Sequence, residues 1–291
     1  MLLTTTNQLN AKQLQDLEQL KLSTKSADGS IPNLYTHLLL QPRTLPTISL
    51  YYEQEQLIGF LSIYFFYEDA VEIALLVDPK ARRKGIAKQL LQQMLTLVQE
   101  HNYSKLIFSS PAHLNDRWLP ELGFSYRHSE YYMERCNLTP LLDHHKKLNF
   151  QTATVEHIPQ LCLLDEACFH KTKAELEPRF NHIISDRNYQ VVLAFEKNKL
   201  VGKAHLRWQN TGATLSDIAI FPDRQGQGLG TALIAHCINY ALSEGKPHLN
   251  LDVETHNQKA LELYTRLGFF TQNACDYWEI GLLALQKVLK I

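Results

Sequence analysis

Three glycines at alternate positions, Gly226, Gly228 and Gly230, lie within the stretch FPDRQGQGLGTAL, from Phe221 to Leu233. An apolar run precedes them and a helix-like run follows. The start of a helix presents unpaired backbone N–H groups and the positive end of the helix dipole, and together these bind phosphate. Glycine removes the side chains that would hold a pyrophosphate away from the backbone. The stretch therefore predicts a phosphate-binding loop, and a tight turn that merely needs glycine is the alternative.

The glycine spacing differs from two common nucleotide-binding motifs. It does not match the G-x-G-x-x-G of dinucleotide-binding folds, and the chain contains no G-x-x-x-x-G-K followed by Ser or Thr. Gln225 to Gly230 instead match Q/R-x-x-G-x-G/A. In this motif the chain resembles the GNAT superfamily of acyltransferases, where the motif wraps the pyrophosphate of coenzyme A.

A second stretch extends the resemblance. LDVETHNQKALELYTRLGF, from Leu251 to Phe269, is similar to a motif of that superfamily with an Asn and a Tyr on the helix after the fifth strand, ahead of L-G-F. With Pro222 and the order of strands and helices, the similarity covers roughly residues 150 to 281. Two motifs in the correct order and spacing are more specific than one.

The resemblance implies a sheet in which strands four and five splay apart, with the thioester of acetyl-coenzyme A in the gap. Direct attack by an amine then needs a deprotonated nitrogen, a polarised carbonyl and a proton for the leaving thiolate. Tyr264 matches the motif position of the proton donor, and a phenol is protonated at neutral pH. Aromatic packing is its alternative role. Asn257 would hydrogen-bond the pantetheine region and also suits a helix N-cap.

The same resemblance implies that the main chain of the strand before the glycines pairs with the pantetheine amides and polarises the carbonyl. The residues of the second half expected to bind acetyl-coenzyme A are therefore Ile218, Ala219, Ile220, Gln225, Gly226, Gln227, Gly228, Leu229, Gly230, Thr231 and Asn257.

The general base is less well defined. Glu254 lies at the end of the predicted fifth strand, near the expected cleft, and His256 and Asp217 are alternatives. All three also suit ordinary exposed positions. No metal is predicted, because neither His256 nor the His144-His145 pair has further ligands at a metal-binding spacing.

The chain repeats itself. A shift of 143 positions brings Gly59 onto Gly202 and Gly85 onto Gly228, and the register resumes after a two-residue step at the two L-G-F triplets. Each copy has the size of a domain. We predict an amino-terminal domain over residues 1–138, a linker over 139–149 and a carboxy-terminal domain over 150–291.

Strands and helices must position these motifs. The fold class expected from the resemblance is α/β (α+β), with two tandem GNAT-like domains, each a mixed, mostly antiparallel, splayed sheet flanked by helices. Hydrophobic periodicity in the second copy predicts strands over 150–154, 190–195, 200–208, 214–220 and 248–253 and near 269 and 277, and helices over 156–168, 173–185, 228–243 and 257–267. The first copy repeats the order with strands over 48–52, 57–66 and 71–77 and a helix over 85–100.

The first copy keeps only one of the two motifs. Its residues 82–87 also fit Q/R-x-x-G-x-G/A, with basic residues that suit phosphate or a solvated turn. Leu119 aligns with Tyr264, and leucine cannot donate a proton. We therefore expect a degenerate first copy that does not catalyse but retains a coenzyme A site at Arg82, Arg83, Lys84, Gly85 and Ala87.

Composition narrows the class of partner. The 29 basic and 30 acidic residues nearly balance, which disfavours nucleic acid. The five cysteines are widely spaced and include no C-x-x-C, as expected of reduced thiols. Neither a signal peptide nor an apolar run long enough to cross a bilayer is found, so we expect a cytoplasmic protein without a membrane partner.

The sequence thus predicts an N-acetyltransferase that moves an acetyl group from acetyl-coenzyme A to a primary amine of a small molecule. Acetylation of a protein lysine or amino terminus is the alternative within enzymes. A non-catalytic module that responds to coenzyme A is the alternative of another class. The two copies form a pseudo-dimer within one chain, and both a monomer and a homodimer fit the sequence.

Overall fold

The computed structural model describes residues 2–142, 148–169, 172–254 and 258–290. The strands are Leu2–Thr6 (β1), Ile48–Glu53 (β2), Gln56–Tyr64 (β3), Ala70–Val77 (β4), Lys105–Pro111 (β5), Ser125–Arg135 (β6), Leu148–Thr152 (β7), Tyr189–Glu196 (β8), Lys199–Trp208 (β9), Gly212–Ile220 (β10), His248–Glu254 (β11) and Phe270–Gly281 (β12). The helices are Ala11–Asp28 (α1), Thr36–Leu39 (α2), Ile86–Glu100 (α3), Ile158–Phe169 (α4), Lys173–Ser185 (α5), Leu229–Ser243 (α6), Gln258–Arg266 (α7) and Leu282–Leu289 (α8).

The chain divides into two compact units. The first unit contains residues up to Tyr131, Glu254 and the segment from Gln272 onward. The second unit contains Tyr132–Val253 and the segment that ends at Thr271. The last strand of the second copy is therefore packed mainly with the first unit.

In the first unit the strands run in the order β1-β2-β3-β4-β5-β12. The pairs are antiparallel except β4 with β5. Helix α3 packs on one face with Leu90 and Met94, where Trp278 and Ile280 of β12 join the same core. Helix α1 covers strands β3 and β4 with a second cluster that includes Leu17.

In the second unit the strands run in the order β11-β10-β9-β8-β7, and only the β10–β11 pair among these is parallel. Helices α4 and α5 pack with Leu161, Leu176 and Phe180 against β8, β9 and β10. Helix α6 buries the face that carries Leu229 and Leu233, as its four-residue spacing predicts.

The fold class predicted from the sequence is confirmed, since each unit is a mixed, mostly antiparallel sheet with helices. Two elements differ: the first-copy counterpart of α7 is only a short helical turn, Pro120–Leu122, and the two strands expected near 269 and 277 are a single strand, β12. Most of it pairs with β5, from Cys275 opposite Pro111 to Gly281 opposite Lys105. The predicted domain boundaries, 1–138 and 150–291, follow the sequence repeat. The compact units do not follow it throughout, because the end of the second copy belongs to the first unit and the end of the first copy belongs to the second unit. An alignment of the repeats does not reveal this.

Candidate active site

The glycine loop of the second unit has the geometry of an anion site. Strand β10 ends at Ile220, a short helical turn spans Pro222–Arg224, and Gly226 and Gly228 follow with φ of 75° and 78°. Gly228 is the N-cap of α6, and the amide of Ala232 donates to its carbonyl oxygen at 3.1 Å. The amides before Ala232 belong to the turn whose N–H groups a helix cannot pair internally. The loop therefore presents several donors and the positive helix end to one point.

Side chains of the loop fix its shape. Gln225 donates from Nε2 to the carbonyl oxygen of Ile220 at 3.1 Å, and Arg224 pairs with Glu196 at 2.6 Å. The thiol of Cys168 lies 3.4 Å from the same carbonyl of Ile220. The side-chain amide of Gln225 therefore ties the loop to the end of β10, and the expected contact of Gln225 with the cofactor stays a prediction.

The first unit has the same loop conformation. Arg83 and Gly85 occupy the positions equivalent to the two left-handed glycines, with φ of 64° and 80°. Arg82 donates from Nε to the carbonyl oxygen of Val77 at 3.2 Å and pairs with Asp28 at 2.8 Å through Nη1. Because Asp28 neutralises Arg82, the exposed basic groups of this loop are Arg83 and Lys84.

The sheets of the two units split to different depths. The parallel pairs of β10 and β11 run from Gly212 only as far as Thr214 opposite Asn250. Those of β4 and β5 extend to Ala74 opposite Ser109. When the two copies are aligned, the parallel pairing stops three residues earlier along β10 than along β4, so the split between the strands is deeper in the second unit.

A bulge accompanies the deeper split. The pairing of β10 with β9 shifts between Ser216 and Ala219, and Asp217 lies in the left-handed region with φ of 48°. The pairing of β4 with β3 has no such shift. A bulge bends its strand away from regular pairing and re-aims the local backbone. The main chain of Ile218, Ala219 and Ile220, expected to hold the pantetheine, follows directly.

Asp217 lies in a network of charged groups. Its Oδ1 is 2.6 Å from Nη2 of Arg179, and its Oδ2 is 3.5 Å from Nδ1 of His205. Burial would raise the pKa of Asp217, but the interaction with His205 and the charges of Lys203 and Arg179 lower it below its ordinary value. Burial and the charge of Lys203 lower the pKa of His205, so the imidazole is neutral at pH 7. Asp217 is accordingly a carboxylate that accepts a hydrogen bond from Arg179 and lies close to the ring of His205.

Tyr264 is buried on α7 with its ring edge against Phe269, at 5.9 Å between centroids. Burial raises the pKa of the phenol to about 12, so it carries its proton at every neutral pH. Asn257, the second residue expected on this helix, and His256 lie outside the described residues, as do His144 and His145.

Glu254, the first choice for the base, groups with residues of the first unit. Its carboxylate lies within 4.8 Å of ligand atoms of His128 and Glu130. Glu130 also accepts a hydrogen bond from the hydroxyl of Tyr277 at 2.8 Å. The expectation that no metal is bound stays a prediction.

Sequence reasoning missed the buried polar groups of the second unit, Asp165, Lys203 and His205. A signal was present in LVGKAHLRW, where Lys203 and His205 are two residues apart and are surrounded by apolar residues from Leu200 to Leu206. Alternation in a strand puts both side chains on one face. The missing information was which helices cover that face.

The profile of the acetyltransferase (GNAT) family matches residues 13–124 and 158–269. These segments cover more than half of the chain, so the chain belongs to this family, and the repeat is a repeat of the family's domain. Among the described residues, none of the helices combines the length and apolar character needed to span a bilayer. A cytoplasmic location stays a prediction.

Individual relatives agree with the family. Ribosomal protein bS18-alanine N-acetyltransferase of Escherichia coli is 47% identical over 57 residues, 20% of this chain and 38% of that enzyme. Mycothiol acetyltransferase of Clavibacter sepedonicus is 24% identical over 259 residues and 84% of each chain. The chain spans 29% to 38% of the length of the first curated relatives that it matches. A GCN5-related N-acetyltransferase from Sphaerobacter thermophilus shares the fold, with a TM-score of 0.78 and 14% identity over 96% of both chains.

Proposed function

We propose that this chain is an N-acetyltransferase that carries an acetyl group from acetyl-coenzyme A to a primary amine of a small molecule, and that the reaction takes place in the second unit. The observation that carries this proposal is the split and bulge of β10, next to a left-handed glycine loop. A thioester that enters a split sheet needs free backbone donors along one strand, and a bulged, unpaired strand end supplies them.

The second unit would hold the cofactor through main-chain groups. The loop from Gly226 to Thr231 would bind the pyrophosphate with amides at the start of α6. The backbone of Ile218 to Ile220 would pair with the pantetheine amides and donate to the thioester oxygen. Asn257 is proposed to hydrogen-bond the pantetheine.

The chemical step is direct transfer. The amine nitrogen forms a bond to the carbonyl carbon, the carbon–sulfur bond breaks, and the thiolate takes a proton from Tyr264. The phenol still carries its proton when the thiolate forms, and the tyrosinate regains a proton from solvent as the products leave. The amine loses its proton to a base, for which Asp217 and Glu254 are the proposed carboxylates.

The two carboxylates have different environments. The lowered pKa of Asp217 suits it to receive the proton as the new bond makes the nitrogen acidic, rather than to deprotonate a free ammonium group. Asp217→Asn and Glu254→Gln therefore separate the candidates. Loss of turnover with retained binding of acetyl-coenzyme A in only one variant identifies the base.

The first unit is proposed to be a partner without catalysis. Its shallower split, its regular β4 and Leu119 at the position of Tyr264 support this role. Its loop retains Arg83, Lys84, Gly85 and Ala87 for a coenzyme A phosphate.

Calorimetric titration of acetyl-coenzyme A into the wild type, Gly228→Glu and Gly85→Glu tests the assignment. One site, lost only in Gly228→Glu, supports catalysis in the second unit. Two sites, each lost with its own variant, support a ligand role for both units.

Release of thiol is then followed with a panel of small amines and a peptide with a free amino terminus. Turnover with small amines supports the proposal, and turnover with the peptide alone favours protein acetylation. Tight binding without turnover across the panel favours a regulatory module, and no binding at all contradicts the proposed function.

A further inference from the structure

A cluster of acidic and basic side chains is fully buried in the second unit. Asp165 of α4 and Lys203 and His205 of β9 have no measurable exposed surface. Taking charges out of water costs free energy that a buried ion pair seldom recovers, so well-packed apolar residues would serve this core at least as well. The presence of these groups therefore points to a role other than stability.

The buried groups contact one another in a row that leads to Asp217. Nζ of Lys203 lies 3.0 Å from Oδ1 of Asp165 and 3.1 Å from Nε2 of His205. An ammonium group can only donate, so Nε2 accepts and the imidazole proton is on Nδ1. Nδ1 faces Oδ2 of Asp217 at 3.5 Å. Among the described residues Nδ1 has no hydrogen-bond partner, so His205 and Asp217 interact by a close electrostatic contact and not by a hydrogen bond.

A second cation reaches the same carboxylate. Arg179 of α5 lies 2.6 Å from Oδ1 of Asp217, the oxygen other than the one that His205 faces. Phe180, the next residue on α5, packs its ring edge-on to His205 at 6.2 Å between centroids. Helix α5 therefore both covers His205 and supplies the hydrogen bond to Asp217.

Asp217 needs such support because of its backbone. Its φ of 48° falls in the left-handed region, inside the bulge between Ser216 and Ala219. This conformation is uncommon for residues other than glycine, and it persists where contacts with the surrounding structure hold the residue in place. The hydrogen bond from Arg179 to one carboxylate oxygen and the close contact of His205 with the other supply that constraint.

The first copy provides an internal comparison. The alignment of the repeats gives the equivalents of Lys203, His205 and Asp217, and they cannot form this network. They are Phe60, Ser62 and Ala74. In that copy β4 pairs with β3 without a register shift. The network and the bulge therefore occur together in one copy and are replaced together in the other.

We propose that Lys203, His205 and Arg179 are positioning residues that hold Asp217, and through it the bulged segment of β10, in the geometry that acyl transfer requires. This inference rests on the proposed function, in which that segment holds the thioester. The three residues act through Asp217 and not on the acetyl group itself.

The test replaces the buried set as a whole, with Asp165→Leu, Lys203→Met and His205→Leu in one protein. Removing all three leaves none of these charges buried without its partner, so the melting temperature should be at or above that of the wild type. The control replaces the Glu18–Lys21 pair of α1, which is 2.8 Å apart on the first unit, by glutamines.

Amide hydrogen exchange of residues 215–220 is the first measurement, because it needs no acceptor. We expect exchange there to be about tenfold faster or more in the triple variant, while peptides of α6 exchange as in the wild type. Turnover is the second measurement. The kcat should fall about 10- to 100-fold, while the Kd for coenzyme A changes less than about threefold. The control variant should match the wild type in both.

Unchanged exchange over 215–220 in a folded triple variant overturns the proposal, whatever the turnover. If the triple variant does not fold, Arg179→Met addresses the same carboxylate from a partly exposed position, and the same exchange criterion applies. A wild type that neither binds nor turns over acetyl-coenzyme A contradicts the proposed function alone, because the exchange result still decides the positioning role.

Discussion

Gln225 donates a hydrogen bond from its side-chain amide to the main-chain carbonyl of Ile220, at 3.1 Å, and so ties the glycine loop to the last residue of β10. The first unit repeats this contact with another residue type, since Nε of Arg82 donates to the carbonyl of Val77 at 3.2 Å. The first position of the motif therefore accepts Gln or Arg because both reach that carbonyl. In both units the side chain at this position holds the loop against the end of the preceding strand.

Gln225→Ala should weaken acetyl-coenzyme A binding about fivefold, because a hydrogen bond of roughly 1 kcal/mol that shapes the loop is lost. Gln225→Arg should restore most of the affinity, because Arg82 makes the equivalent hydrogen bond in the first unit. Calorimetric Kd values for the three proteins check the prediction. Gln190→Ala is the control, because Gln190 of β8 donates a hydrogen bond to Thr152 at 2.8 Å outside the loop. An affinity unchanged in Gln225→Ala would show that the loop holds its shape without this contact.

Gly228 and Gly230 should respond differently to alanine. Gly228 has φ of 78°, so a side chain there costs about 1–2 kcal/mol, and Gly228→Ala should lower both stability and cofactor affinity. A Cβ on Gly230 would lie 3.7 Å from Cγ1 of Ile220, which is ordinary contact. Gly230→Ala should therefore gain up to about 1 kcal/mol of helix stability with affinity nearly unchanged, as Ala87 occupies this position in the first copy. Denaturant unfolding and calorimetry of both variants test this, and equal losses in the two would contradict it.

Most of the fold could be predicted because local pattern and repeat agree. The face of α6 with Leu229 and Leu233 and the strands with alternating or apolar runs are where periodicity places them. The pairing of β12 with β5 could not be predicted. The two copies have similar last strands, and either strand could cover the apolar face next to β5. Which of the two pairs with β5 depends on how the chain connects in space, and a sequence pattern does not show this.

The parts of the site that consist of backbone conformation could be predicted from the sequence, and the parts that arise from side-chain packing could not. The left-handed glycines and the helix start follow from the motif alone. The network around Asp217 requires α4 and α5 to cover β9, which a strand pattern does not encode. Glu254 illustrates the same limit, because its place at the end of β11 was evident, while its neighbours His128 and Glu130 come from another part of the chain.

Glu72 of β4 should make the stability of the first unit depend on pH. Its side chain is 1% exposed, and burial raises its pKa to about 7 from an ordinary value near 4.5, against a hydrogen bond from Tyr35 that lowers it. The native state then binds the proton more tightly than the unfolded state, so stability is fully present below about pH 4.5 and falls as pH rises to about 7.

Glu72→Gln removes the group that must ionise. The variant should be more stable than the wild type by about 3 kcal/mol at pH 8 and nearly equal to it at pH 4. Urea unfolding at both pH values measures the difference, and exposed Glu68→Gln is the control. A difference that is the same at the two pH values would mean that the substitution acts through packing and not through the proton.

Tyr264→Phe tests the proposed proton donor. Phenylalanine keeps the ring contact with Phe269, so the melting temperature and the Kd for acetyl-coenzyme A should hardly change. Loss of a general acid should lower kcat about 10²- to 10⁴-fold. Because the pKa of Tyr264 is raised to about 12, wild-type turnover should show no loss from its deprotonation below about pH 11. Tyr240→Phe on α6 of the same unit is the control.

The dependence on the leaving group separates acid catalysis from packing. If Tyr264 protonates the thiolate, a thioester with a more acidic thiol needs the proton less, so the loss in Tyr264→Phe should shrink with that substrate. If the phenol only packs the helix against the sheet, the loss is the same for every thioester. If Tyr264→Phe keeps the full rate, solvent and not Tyr264 protonates the leaving thiolate. The backbone of β10 is then the main contributor to catalysis.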